Sequence, residues 1–193
     1  MRVNEIFYSL QGEGFFASVP SVFIRLSGCN LQCSFCDTDH QPFTDMTEYE
    51  IADMVAQYPA KHVVVTGGEP SLQLTASLVE LMHKLGKEVA VETNGTHGLP
   101  ENVDWITLSP KDAFVASTSA KVVLKRCNEM KVVYTGHELH DYDDIMCDHY
   151  FLQPCDVGDV VKNKEIVKAT IDYCLKHPKW RLSLQTHKLL GIR

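Results

Sequence analysis

The sequence predicts an α/β fold, a partial, open (β/α) barrel of about six parallel strands, built as a single domain over residues 1–193. Three observations carry this expectation. Short β-branched runs that are almost continuously apolar recur along the chain, as strands do when both faces of their sheet are covered. Helical patterns lie between several of these runs, the arrangement of a parallel sheet clothed by helices. The length, 193 residues, falls short of the about 250 that a complete eight-fold barrel uses.

In chain order, strands are expected at 21–26, 62–66, 88–93, 105–109, 130–135, 150–153 and 181–185, each rich in Val, Ile, Thr or aromatic residues. The clearest helix is expected over 47–58. There Thr47 and Glu50 have the spacing of a capping box, ahead of Ile51, Met54 and Val55 on one face. Residues 72–85 and 164–176 follow the same period. The segment 113–120 (AFVASTSA) is the weakest in pattern and is expected to be a loop or a mobile crossover. In parallel α/β sheets chemistry collects at the carboxyl ends of the strands, which is where candidate residues are to be sought.

Composition narrows the function classes. Lys and Arg total 18 against 25 for Asp and Glu, a formal net charge of −7, and no basic tract offers a track for a phosphate backbone. Nucleic acid is therefore an unexpected partner. No run of about 18 apolar residues suits a membrane span, and the start lacks the pattern of an export signal. Seven cysteines, three of them within eight residues, fit a metal site in a reducing cytoplasm better than a disulfide framework. Cys127, Cys147, Cys155 and Cys174 are dispersed and are expected to be small buried thiols.

The triplet Cys29, Cys33 and Cys36 has the spacing C-x3-C-x2-C directly after the strand at 21–26. Three thiolates this close can ligate three irons of a four-iron four-sulfur cluster and leave the fourth iron open. A zinc site would need a fourth ligand, which His40 is close enough in sequence to supply, so that alternative stays open here. Phe35, between the last two cysteines, suits packing against a bound ring or shielding of a cluster. A second motif, Thr66-Gly67-Gly68-Glu69-Pro70, ends the next strand, and its glycines allow backbone to approach a ligand.

With both motifs in place the sequence resembles the radical S-adenosylmethionine (SAM) superfamily. The resemblance extends over the whole chain. Ser9 to Gly14, Arg25, Cys36-Asp37-Thr38, Glu92 to Gly95, Ser109-Pro110-Lys111, Gln153-Pro154 and Leu184 to Lys188 look like the 7-carboxy-7-deazaguanine synthase family. It implies a radical SAM fold and a carbon–nitrogen lyase that contracts the ring of 6-carboxy-5,6,7,8-tetrahydropterin to 7-carboxy-7-deazaguanine and releases ammonia, a step towards queuosine.

Carried over residue by residue, the resemblance implies that Cys29, Cys33 and Cys36 hold the cluster, and that Thr38 binds Mg2+. It implies SAM contacts at Phe35, Cys36, Asp37, Gly68, Ser109, Pro110, Lys111, Gln153, Pro154, Cys155 and Asp156. Substrate contacts are implied at Leu10, Gln11, Gly12, Glu13, Arg25, Thr66, His187 and the terminal Arg193, whose side chain departs from the family's small or apolar endings. The planar fork of Arg25 suits a carboxylate, and Gln11 or Glu13 suits the donor and acceptor edge of a pterin. Flavodoxin or ferredoxin as electron donor and a homodimer are further implications. Two rival readings are an activase that places a glycyl radical on a partner protein, and a noncatalytic iron–sulfur or zinc module.

Overall fold

The computed structural model of the chain describes residues 1–115 and 120–193. Residues 116–119, within the segment expected to be a loop or crossover, lie outside the described residues.

Among the described residues, nine strands form one sheet in the order β3-β1-β2-β4-β5-β6-β7-β8-β9. They are β1 (Arg2–Leu10), β2 (Pro20–Leu26), β3 (Thr44–Asp45), β4 (His62–Gly67), β5 (Glu88–Thr93), β6 (Trp105–Leu108), β7 (Arg126–Tyr134), β8 (Met146–Pro154) and β9 (Trp180–Leu182). The run from β2 through β4 to β9 is parallel throughout. β1 pairs antiparallel with both β2 and β3. The expected parallel strands are thus present, with an antiparallel edge added. β1 escapes a period-two reading because a bulge between Val3 and Glu5 shifts its register. Val3 and Ile6, an odd number of residues apart, consequently pack in the same cluster.

Helices α1 (Glu48–Ala56), α2 (Ala76–Lys84) and α3 (Val160–Lys176) follow β3, β4 and β8, and a short α4 (Thr186–Leu190) ends the chain. The capping box of α1 forms as expected, but the buried face is Ile51, Ala52 and Val55. α2 begins later than expected. Pro70–Leu72 makes a 3-10 turn first, and the Thr75 hydroxyl then accepts from Leu78 N to start the helix. α3 begins earlier, at Val160, because Asp159 caps Val161 and Lys162. The last expected strand is shorter: β9 stops at Leu182, so His187 sits in α4 and not at a strand end.

Alternation along the strands separates two environments. Val22, Ile24, Leu26, Val63, Val65, Val89 and Val91 face α1 and α2 in the larger core cluster. Leu108, Met130, Val132, Leu152 and Trp180 form a second cluster, against which Ala169, Tyr173 and Cys174 of α3 pack. The opposite face lines the inside of the curled sheet. Its floor is apolar, with Phe7 stacked on Phe23 at 4.8 Å beside Val64, Ala90 and Trp105. Nearer the carboxyl ends the same face turns polar, with Arg25, Thr66, Glu92, Lys131 and Gln153. No helix among the described residues is long and apolar enough to cross a membrane.

Candidate active site

The polar end of the interior opens into a cavity of about 920 Å³. Its walls come from the loop after β1, the cysteine loop after β2, the carboxyl ends of β4 to β8, and the C-terminal segment.

The cysteine loop is fixed by backbone contacts before any ligand is considered. Gly28 N donates to His40 O at 3.0 Å, Gly68 N donates to Leu26 O at 2.9 Å, and Glu69 N donates to Gly28 O at 2.8 Å. Gly28 has φ +90 and Gly67 φ +124, conformations that a side chain would strain. Glu69, 1% exposed, accepts from Thr93 Oγ1 (2.6 Å), Asn94 N (2.7 Å) and Ser71 N (3.0 Å). Asn94 Nδ2 donates to Asn30 Oδ1 at 3.1 Å. Three successive strand-end loops are therefore locked together, which explains why the sequence spends a buried carboxylate on GGEP.

All seven cysteines are free. Cys29, Cys33 and Cys36 line the cavity, and burial pushes the Cys29 and Cys33 thiols up. The donor set fits an iron–sulfur cluster: three soft sulfurs on one loop open to one cavity, with iron supplying the positive charge that thiolates need. His40 lines the same cavity, with Nδ1 buried and without a hydrogen-bond partner. Among the described residues no three His, Cys, Asp or Glu side chains converge as a site for a single ion. A cubane spreads its thiolates over three irons and does not require that convergence.

On the side of the cysteine loop, Lys111 Nζ donates to Ser109 Oγ at 2.6 Å and lies 5.7 Å from the Phe35 ring centroid. Burial lowers its pKa, against the pull of the Cys33 thiolate. Phe35 packs edge-on against Phe114 at 4.6 Å. Lys188 bridges Asp37 (2.7 Å) and Asp156 (3.2 Å). Beside the same loop, Arg25 Nε donates to Glu5 Oε1 at 2.9 Å, and its Nη1 reaches Thr38 Oγ1 at 3.5 Å. Thr38 Oγ1 is also 3.5 Å from Asp37 Oδ1.

At the base, Lys131 Nζ lies 2.5 Å from Glu13 Oε2 and 3.3 Å from Glu92 Oε1. Burial pushes the Glu13 carboxyl up, but Lys131 and the Gln185 amide outweigh it and bring its pKa down to about 2. Burial pulls Lys131 down, and Glu13, Glu92 and Glu129 more than restore it, so the lysine is held above its ordinary value. The pair is ionised in both partners.

The C-terminal segment closes one side of the cavity. Gly12 O accepts from Thr186 N and Oγ1 at 3.0 and 2.9 Å. Ser9 Oγ donates to Arg193 O at 2.6 Å, and the Arg193 guanidinium pairs with Glu5 at 2.9 Å.

Of the residues singled out from sequence, Leu10, Gln11, Gly12, Glu13, Arg25, Phe35, Asp37, Thr38, Thr66, Gly68, Ser109, Lys111, Gln153, Pro154, Cys155, Asp156, His187 and Arg193 line this cavity with the three cysteines. Pro110 does not. It is buried between Ser109 and Lys111 and shapes their turn. Glu5 and Lys131 are wall residues that the sequence reading passed over, and Glu92, Gln185 and Lys188 were read as motif without a role. For Glu92 and Lys131 the available signal was a charge inside an otherwise apolar strand.

Fold and cysteine loop together define a radical SAM protein, and the family model of the Radical SAM superfamily matches residues 23–169. A 7-carboxy-7-deazaguanine synthase from Bacteroides thetaiotaomicron is 50% identical over 192 residues, covering 100% of this chain and 98% of its own. One from Bradyrhizobium diazoefficiens is 42% identical, covering 99% and 98%. The crystal structure of QueE from Escherichia coli superposes with a TM-score of 0.71 at 28% identity, over 95% of this chain and 92% of that one. The chain belongs to the 7-carboxy-7-deazaguanine synthase family.

Proposed function

We propose that this chain is a 7-carboxy-7-deazaguanine synthase, a radical SAM enzyme and carbon–nitrogen lyase. It would convert 6-carboxy-5,6,7,8-tetrahydropterin to 7-carboxy-7-deazaguanine and ammonia on the route to queuosine. The observation that carries this reading is one cavity lined both by three free thiols and by Arg25, Thr66, Glu92 and Gln11.

When bound, the four-iron four-sulfur cluster and SAM supply a one-electron cleavage that yields a hydrogen-abstracting radical. Everything else falls to the chain's own groups. Cys29, Cys33 and Cys36 hold three irons. Lys111, Ser109, Asp156 and the Gly68 backbone form the wall suited to SAM, and the Arg25 fork presents donors to a carboxylate. The Thr38 hydroxyl and the Asp37 carboxylate are hard oxygen donors of the kind Mg2+ prefers. The Arg25 guanidinium stands beside Thr38, so its donors and a cation held by Thr38 and Asp37 would both favour a substrate carboxylate there. Gln11, Glu13 and Glu92 offer acceptors and donors to a pterin edge. The C-terminal segment, tied to Gly12, Ser9 and Glu5, limits water access and helps orient the reactants.

Flavodoxin or ferredoxin as reductant and a reducing cytoplasmic setting accord with the free thiols. Leu175, Leu189 and Leu190 are exposed and offer apolar surface to a second copy in a homodimer.

The test is anaerobic turnover of reconstituted, reduced protein with SAM, Mg2+ and 6-carboxytetrahydropterin, with Cys33→Ala as control. The expected result is 7-carboxy-7-deazaguanine by mass and absorbance, absent from the control. SAM cleavage without a deazapurine would leave the superfamily standing and reject the substrate.

A further inference from the structure

Lys131 stands in the middle of an apolar strand, in the run Met130-Lys131-Val132-Val133. Its side chain is 6% exposed, and it reaches two carboxylates from elements on different sides of the cavity: Glu13, in the loop after β1, and Glu92, on β5. Each carboxylate is fixed by further donors. Gln153 Nε2 and Gln185 Nε2 reach Glu13 Oε1 at 3.1 and 2.9 Å. Gln11 Nε2 reaches Glu92 Oε1 at 3.2 Å, and Thr66 Oγ1 reaches Glu92 Oε2 at 3.1 Å.

A buried ion pair is weak evidence for stability, since apolar residues of similar size often serve as well. What an ammonium at this point does is electrostatic. Burial pushes the Glu13 carboxyl up and Lys131 holds it down, so without this cation Glu13 would tend to take up a proton and turn from acceptor to donor. The other charged groups facing the pair are Glu129, two residues back on β7 and 2% exposed, and Lys111 and His187 at the cavity rim. Glu129 is not a wall residue: it accepts from Phe15 N at 3.2 Å, and burial pushes its carboxyl up.

We infer that Lys131 is a positioning residue, which holds the Glu13 and Glu92 side chains in place as acceptors for the N–H groups of an aminopyrimidinone ring. It acts through these carboxylates and not on the reacting carbon. The inference rests on the functional reading above and adds a residue to which the sequence assigned no part.

The experiment compares wild-type holoenzyme with Lys131→Met, which keeps the length of the stem and removes the charge. KM and kcat for 6-carboxytetrahydropterin, SAM affinity and cluster absorbance are measured across pH. The expected result is a KM raised about tenfold or more at neutral pH, with SAM affinity and cluster absorbance unchanged. The KM of the variant is expected to rise further from about pH 8 to about pH 6, as the Glu13 carboxyl, pushed up by burial and lacking its cation, protonates, while the wild-type KM stays flat. Lys131→Gln, which keeps an N–H for Glu13 without charge, is read in the same way if Lys131→Met does not hold its cluster. A wild-type KM with no new pH dependence in either variant overturns the inference. So does loss of the cluster or of SAM binding in both, which would make Lys131 a structural residue. A wild-type protein that cleaves SAM but shows no saturable use of the pterin rejects the functional reading itself, and this inference with it.

Discussion

Gly68 donates its N–H to the carbonyl of Leu26, and a Cβ built at this position would drive into the Gly28 carbonyl. That obstacle is backbone and cannot swing aside. Gly68→Ala is therefore expected to cost about 3 kcal/mol or more and to separate the cysteine loop from the GGEP turn. Iron retained per chain after reconstitution, together with the thermal midpoint, checks this. Glu13 gives a prediction of a different kind. Its carboxyl is depressed from the ordinary 4.5 to about 2, so its pairing stabilises the fold fully above about pH 4.5. That contribution is lost as the pH falls from there towards 2. Glu13→Gln should be less stable than wild type at pH 7, and the gap should narrow as denaturation is repeated down to about pH 3. A gap that stays constant over this range would contradict the pairing.

At the scale of elements, α1 and α4 contrast. The capping box of α1 is local: Thr47 accepts from Glu50 N, and Glu50 Oε2 accepts from Thr47 N at 2.7 Å. Thr47→Ala is expected to lower stability by about 1 kcal/mol and to leave the Michaelis constants unchanged, since α1 lies on the outer face of the sheet. α4 is held by distant partners instead, through Thr186 on Gly12 and Lys188 on Asp37 and Asp156. Lys188 is a third exposed, and such pairs contribute at most about 1 kcal/mol. Lys188→Ala should therefore barely move the global unfolding midpoint. It should instead speed backbone amide exchange across residues 185–193, because the tie it removes is local to the strap. The same contrast governs what was legible. The capping spacing of α1 was readable from four neighbouring letters. The end of β9 and the turn into α4 were not, because Gln185 and Thr186 take their places from contacts with Glu13 and Gly12, on the other side of the chain.

For the molecule as a whole, sequence by itself determined the class of fold, since the period of apolar residues states which segments are strands and which face of each is covered. It also determined the cysteine triplet and the GGEP turn, because both are compact motifs whose geometry is set within a few residues. Nearly all of the residues assigned to the cavity from sequence do line it, for they sit at strand ends where a parallel sheet must place them. Tertiary structure alone decided three things. The bulge in β1 made a strand out of a segment that does not alternate, and it set Glu5 opposite Arg25. Pro110 was turned into the protein and away from the wall. Lys131 was brought against Glu13 and Glu92, 118 and 39 residues away in the chain. Periodicity fixes the face on which a side chain stands, but which residue meets it across the interior depends on the curl and stagger of the whole sheet, and no local run of letters carries that quantity.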